Sequence, residues 1–187
     1  MSEQDQTTEQ VQTGSLTAEQ VRTDHVQADH VDFIIGQWRQ ERPDLAIEPM
    51  AIIGRLKRLT THLQQGIETH HKRYGLIWGE FDVLATLLRS GKPYCLTPTQ
   101  LFRSAMLSSG AMTNRLNNLE KRGLIERLPD PDDRRSLLVK LSPDGFRLIS
   151  EAVGDHVDNE AHLMSALSAE DIRQLNDILK RWLAGFE

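Results

Sequence analysis

From Thr97 to Leu141 the chain reads TPTQLFRSAMLSSGAMTNRLNNLEKRGLIERLPDPDDRRSLLVKL, and this stretch decides the fold. Thr97 followed by Pro98 and, three residues on, by Gln100 is a capping box with proline at the first helical position, so a short helix starts there and ends near Met106. After Ser108-Ser109-Gly110 a second helix begins and runs to Lys121-Arg122, where Gly123 can take the left-handed conformation that closes a helix. The pattern then changes: Leu124–Leu128 and Ser136–Leu141 flank Pro129-Asp130-Pro131-Asp132-Asp133-Arg134-Arg135, which predicts a β-hairpin with a charged, proline-containing tip. Helix, tight turn, helix and basic hairpin in that order predict a winged helix-turn-helix.

The second helix can be tested for a recognition face. With Met112, Leu116 and Leu119 turned inward, about 100° per residue puts Thr113, Asn114, Asn117, Asn118 and Lys121 outward. Ser108 and Ser109 stand at the helix start. An ordinary solvated face would carry Glu–Lys pairs, whereas this one is polar with a single acid, Glu120. Such a face suits a major-groove floor and the phosphate rows beside it. Arg134 and Arg135, next to Ser136 at the hairpin tip, could enter a minor groove, whose negative potential favours arginine. The expected partner is therefore double-stranded DNA.

Outside this stretch the chain is helical. Phe33, Ile34, Ile35 and Trp38 form an apolar surface on a helix from Val31 to Arg42, stopped by Pro43. Ile52, Leu56, Leu59, Leu63 and Ile67 recur at helical spacing up to Gly75. Ile77 to Arg89 is apolar almost all round, as in a helix buried on more than one side, yet it carries Asp82. Ser142-Pro143-Asp144 opens a long helix through Ser165, and Ser168-Ala169-Glu170-Asp171 opens the last, to Phe186. The apolar residues of these two helices, Ile149, Val153, Val157, Leu163, Leu167, Ile172, Leu175, Ile178, Leu179, Trp182, Leu183 and Phe186, exceed what a small DNA-binding unit can cover. A second copy of the chain is the expected cover. The fold class is thus mainly α with a small β-hairpin. Residues 1–30 are expected to be a disordered acidic tail and 31–187 a single domain. Within it, 31–75 and 142–187 supply dimerisation helices and 76–141 the winged lobe.

Charge and composition narrow the function. The 187 residues carry a net charge of −5, which taken alone speaks against nucleic acid. The average hides its distribution: residues 1–30 have a local net charge of −5, residues 97–141 one of +3. No stretch is apolar enough for a membrane span, and the first thirty residues do not read as a secretory signal, so a cytoplasmic protein is expected. One cysteine, Cys95, excludes an internal disulfide and a thiolate-rich zinc site. His70 and His71 diverge on a helix and His156 and His162 are six apart, so no metal site is expected. No phosphate-cradling glycine loop, zinc-protease histidine pair or nucleophile elbow points to an enzyme or to a cofactor.

The run Leu116-Asn117-Asn118-Leu119-Glu120-Lys121-Arg122-Gly123-Leu124-Ile125-Glu126-Arg127, then Asp133-Arg134-Arg135-Ser136 and Leu141-Ser142-Pro143-Asp144-Gly145, resembles the MarR family of dimeric transcription regulators. Gln37-Trp38-Arg39-Gln40-Glu41-Arg42-Pro43-Asp44-Leu45, Glu48-Pro49-Met50 and Glu80-Phe81-Asp82-Val83-Leu84-Ala85-Thr86-Leu87 resemble its PecS-like branch, whose members are typically urate-responsive. The resemblance covers about residues 31–187. It implies a homodimer whose two winged units read the halves of a pseudo-palindromic operator, and a repressor released by urate or a related planar anion. It places the effector site at Trp38, Asp82, Arg115 and Arg127. Two of these are odd on physical grounds as well. A carboxylate in an apolar helix, Asp82, needs a cation or a donor, and Arg115 lies about 60° from the centre of its helix's apolar stripe, pointing inward and able to reach a buried acid. The same pair could serve only as a structural salt bridge. Other readings are a regulator sensing a phenolic ligand or, through Cys95, an oxidant, and a helical scaffold that binds no DNA.

Overall fold

The computed structural model describes residues 27–105, 109–131 and 136–187, apart from the side chains of 109–111. The tail expected over residues 1–30 lies outside it as far as residue 26. The described chain forms two compact units, one ending at Lys57 and the other starting at Arg58.

In the first unit α1 spans His30–Glu41, and α2, Glu48–His71, begins there and continues into the second. Asp29 caps α1 in a reciprocal box with Asp32, each carboxylate accepting from the other residue's backbone N–H. Arg55 closes the arrangement, its Nε 2.8 Å from Asp29 and its Nη2 2.5 Å from Asp32. This guanidinium holds the Asp29 carboxyl well below its ordinary value. Val31, Ile35 and Ile47 bury against Ala51 beneath these charges.

The second unit contains, after the rest of α2 and a 3₁₀ turn at Lys72–Tyr74, α3 (Trp78–Arg89), β1 (Cys95–Leu96), α4 (Pro98–Ser104), α5 (Ser109–Lys121), β2 (Ile125–Pro129), β3 (Leu137–Leu141), α6 (Pro143–Leu163) and α7 (Ala169–Leu183). The caps fall where the sequence puts them. Thr97 accepts from Gln100 N–H, Ser142 from Gly145 N–H and Ser168 from Asp171 N–H. The hairpin gains a third strand, in the order β1-β3-β2, with Cys95 opposite Lys140 and Arg127 opposite Val139. Two residues show no periodicity, so β1 leaves no trace in the pattern; its pairing with β3 creates it.

Leu76, Val83, Leu84, Leu87, Leu101, Leu116, Leu119, Ile125, Val139, Ile149 and Ala152 share one core. Ile149 and Ala152 belong to α6, so the start of the helix assigned to dimerisation is also part of the winged lobe. At Gly66 α2 passes so close to α6 that a β-carbon would lie 2.8 Å from the Leu163 side chain.

His71 and His156, 85 residues apart, meet in this unit with Nε2 3.2 Å from Nδ1, while His71 stacks on Phe81 at 4.0 Å between ring centroids. Burial first, then the neighbouring His156 and His70, push the His71 pKa down from 6.5 to about 4. The unfolded chain then binds a proton that the folded one refuses. The stability that a neutral His71 contributes is complete above pH 6.5 and is lost as pH falls toward 4, on the order of 3 kcal/mol in all. Thermal melting at pH 7 and pH 4.5 should show this loss, and His71→Gln should flatten it; a wild-type midpoint independent of pH in that window would refute the assignment.

Candidate functional site

α4 and α5 form the helix pair, with β2 and β3 as the wing beside them. Met112, Leu116 and Leu119 of α5 are buried at 5%, 4% and 0% exposure, and Thr113, Asn114, Asn117, Asn118 and Lys121 are all exposed, as the periodicity requires. Ser136 is half-buried, its carbonyl accepting from Asp130 N–H at 3.1 Å to close the base of the wing tip. Ser108, Arg134 and Arg135 lie outside the described residues, as does the side chain of Ser109.

Arg127 on β2 reaches across to α5. Its Nη2 donates to Asn117 Oδ1 at 2.7 Å and its Nη1 stands 3.4 Å from Glu120 Oε2. The one acid of the recognition helix is therefore neutralised from the wing, which removes a charge that DNA phosphates would repel. Asn117 thus accepts from the wing through its oxygen, while its NH2 remains a donor on the exposed face of α5.

Asp82 is buried at 5% exposure, as the sequence requires, but its cation is not Arg115. Arg89, seven residues later and two turns along the same face of α3, places Nη1 3.9 Å from Asp82 Oδ1 and donates from Nη2 to the carbonyl of Ser104, the last residue of α4. A second acid of α3, Glu80, is equally buried, and Arg122 after α5 answers it at 3.0 Å. The two carboxylates thus hold the ends of both helices of the pair. Glu80 was hidden in the sequence because an acid at the third position of a helix normally caps it in solvent.

Arg115 lies in the wall of a hollow of about 260 Å³ between the end of α2, the start of α3 and α5, lined also by Glu68, Lys72, Leu76, Ile77, Trp78 and Gly79. Its Nε is buried with no hydrogen-bond partner among the described residues. A guanidinium donor left unsatisfied costs about 1–3 kcal/mol or more, so it marks a place where an acceptor is wanted. Of the four resemblance-derived positions, Arg115 alone lines this hollow. Asp82 and Arg127 serve other contacts of the same unit, and Trp38, 39% exposed, is on α1 of the first unit. The indole at the hollow is Trp78, at the start of the helix whose apolar surround the sequence shows.

Cys95 is half-buried, and burial pushes its thiol up against the weaker opposing pull of Lys140. A raised thiol holds little thiolate, the form an oxidant attacks. Among the described residues no helix is long and apolar enough to cross a membrane, and no group of three or more metal-binding side chains converges.

A three-stranded sheet beside two helices, the second with a polar, charge-balanced outer face, defines a winged helix-turn-helix DNA-binding protein. The family model of the MarR family matches residues 74–136. The chain is 40% identical over 151 residues to the HTH-type transcriptional regulator PecS of Dickeya dadantii, covering 81% of this chain and 91% of that one. A crystal structure of a MarR variant from E. coli complexed with operator DNA superposes with a TM-score of 0.63 at 26% identity, over 74% of this chain and 99% of that one. Bordetella bronchiseptica BpsR, described in terms of regulation of its DNA binding by 6-hydroxynicotinic acid, shares the fold at a TM-score of 0.62 and 21% identity, over 69% and 90%. The chain belongs to the MarR family of transcriptional regulators.

Proposed function

We propose that the protein is a homodimeric repressor that binds a pseudo-palindromic operator and leaves it when urate or a related planar anion occupies the hollow beside Arg115. The observation that carries this reading is the buried, unpartnered Nε of Arg115 on the recognition helix itself. A planar anion can accept from that guanidinium in charge-assisted hydrogen bonds, with Lys72 adding positive charge and Trp78 an aromatic wall. The hollow lies just below the usual range for drug-sized ligands, which suits a small heteroaromatic. Because an occupant would stand between α5 and the start of α3, it displaces the reading helix. Operator and effector then weaken one another by the same factor.

In this assignment the contacts to DNA come from Ser108, Ser109, Thr113, Asn114, Asn117, Asn118 and Lys121, and from Arg134, Arg135 and Ser136 at the wing. Arg127 and Asp82 set α5 and α4 in place for them. BpsR is the precedent for a small aromatic acid acting on this fold.

The test uses a duplex selected by the protein from a random pool, with anisotropy read while urate, 6-hydroxynicotinic acid and salicylic acid are titrated in turn. Release by urate is expected. Arg115→Ala should keep operator affinity within about threefold and require about 10- to 100-fold more urate for release. Equal urate response in both proteins would remove Arg115 from the effector site. A steep loss of binding with salt is expected as well, because Lys and Arg displace counterions from phosphate.

A further inference from the structure

Glu80 Oε2 makes two contacts that lie on opposite sides of a boundary. It accepts from the backbone N–H of Ile77 at 3.4 Å and from Arg122 Nη1 at 3.0 Å. Ile77 and Gly79, the neighbours of that carboxylate along the chain, are rim residues of the Arg115 hollow. Arg122 directly follows the last residue of α5, its backbone N–H still donating to Asn118 at 3.1 Å. The guanidinium passes over Gly75, where a β-carbon would lie 3.5 Å from Nη2 and where the backbone is left-handed at φ +65°. One buried oxygen therefore ties the rim of the hollow to the C-terminal end of the recognition helix. Arg115, on the middle of that helix, forms the facing wall.

We propose that Glu80 is a positioning residue for operator reading, acting through Arg122, and the latch by which occupation of the hollow reaches the recognition helix. The second half of this rests on the reading of that hollow as the effector site. The Glu80 carboxylate is buried while the Arg122 side chain stays 37% exposed, so water can take over the guanidinium if the pair is broken, whereas the buried carboxylate fixes where Arg122 is held. Here the geometry specified is the distance between the α3 rim and the end of α5. A molecule that wedges Ile77 and Gly79 away from Arg115 has to stretch the Glu80–Arg122 contact. With the latch intact that strain is felt by α5; with the latch removed, α5 is neither held for DNA nor driven off it.

The variant is Glu80→Gln, which keeps the side chain's volume and its ability to accept from Ile77 but gives up the charge that holds Arg122. Three quantities are measured on the full chain: melting temperature, affinity for the selected duplex, and the factor by which saturating urate lowers that affinity. Glu80→Gln should melt within a few degrees of wild type, bind the duplex about 10-fold more weakly, and lose most of the urate factor. Arg122→Lys, which keeps a charge but not the planar fork, should fall between the two. Wild-type affinity together with the wild-type urate factor in Glu80→Gln would overturn the proposal. Should wild type itself show no release by urate, the effector reading falls and the affinity comparison alone decides for Glu80: a 10-fold loss at unchanged melting supports positioning, and no loss overturns it. If Glu80→Gln melts far below wild type, Arg122→Lys decides by the same two binding readouts, because there the buried Glu80 carboxylate keeps a cationic partner.

Discussion

Gly145→Ala is expected to lower stability by about 3 kcal/mol or more and the melting temperature by roughly 6–12 °C. Gly145 sits in the first turn of α6, where a β-carbon would be 1.9 Å from the carbonyl oxygen of Leu124 and 2.8 Å from its carbon. Both are backbone atoms, so no side chain can swing aside. Nor can the segments part freely. Ser142 N–H donates to that same Leu124 oxygen at 3.2 Å, Ser142 Oγ donates to Gly123 at 2.7 Å, and Gly145 N–H donates to Ser142 Oγ at 2.9 Å. Adding one methyl group therefore breaks a knot that joins the start of α6 to the turn between α5 and β2. Leu124, Ile125 and Ile149 on either side are core residues, so the shift carries into the lobe. The same turn fixes where the recognition helix ends and the wing begins, and operator binding should fall with stability even well below the melting point. A midpoint within 2 °C of wild type would show that the α6–Leu124 approach can relax, contrary to the hydrogen bonds around it.

The elements of the fold were legible wherever a local signal sufficed. Thr97-Pro98-Thr99-Gln100, Ser142-Pro143-Asp144 and Ser168-Ala169-Glu170-Asp171 start their helices because side-chain oxygens three residues from a backbone N–H can hardly do otherwise. The outer face of α5 followed from the spacing of three apolar residues. What sequence could not give is which distant groups meet. The burial of Asp82 was readable from the apolar residues around it, but its cation was sought on the recognition helix, when Arg89, two turns along Asp82's own helix, lay nearer. Arg115 was rightly turned inward, yet what it faces depends on how the end of α2 passes over α5, and no local pattern records that crossing. The contact between His71 and His156 likewise exists only because α2 and α6 pack side by side, at the level that Gly66 allows. Arg127 was assigned to a ligand, and in the fold it bonds to two residues of α5, since β2 leaves that helix through a tight turn and runs back alongside it.

The double substitution Ile178→Asp with Trp182→Asp is expected to turn a dimer into a monomer and to weaken operator binding by more than about 100-fold, while the winged lobe stays folded. α7 buries none of its residues within the chain. Ile178, Leu179, Trp182 and Leu183 are 50%, 41%, 40% and 53% exposed, and Phe186 beyond them 78%. Residues 178 and 182 are one turn apart on one face, so two carboxylates there would be buried unpaired in any interface that face makes, at several kcal/mol each. In water they cost nearly nothing, and no residue of α7 contributes to the core that contains Leu84, Leu119 and Ile149. Secondary structure and the cooperative melting of the lobe should therefore survive. Operator affinity should not, because two linked reading helices gain about 10²–10⁴ from the high effective concentration of the second once the first is bound, and that gain disappears when each lobe binds alone. Their separation in a dimer has to match successive major grooves, about 34–36 Å or a multiple. Sedimentation measures the mass and anisotropy on the selected duplex measures the affinity. A variant that remains dimeric would show that α7 faces solvent after all. A monomer that binds as tightly as wild type would show that one lobe suffices and that the operator need not be palindromic.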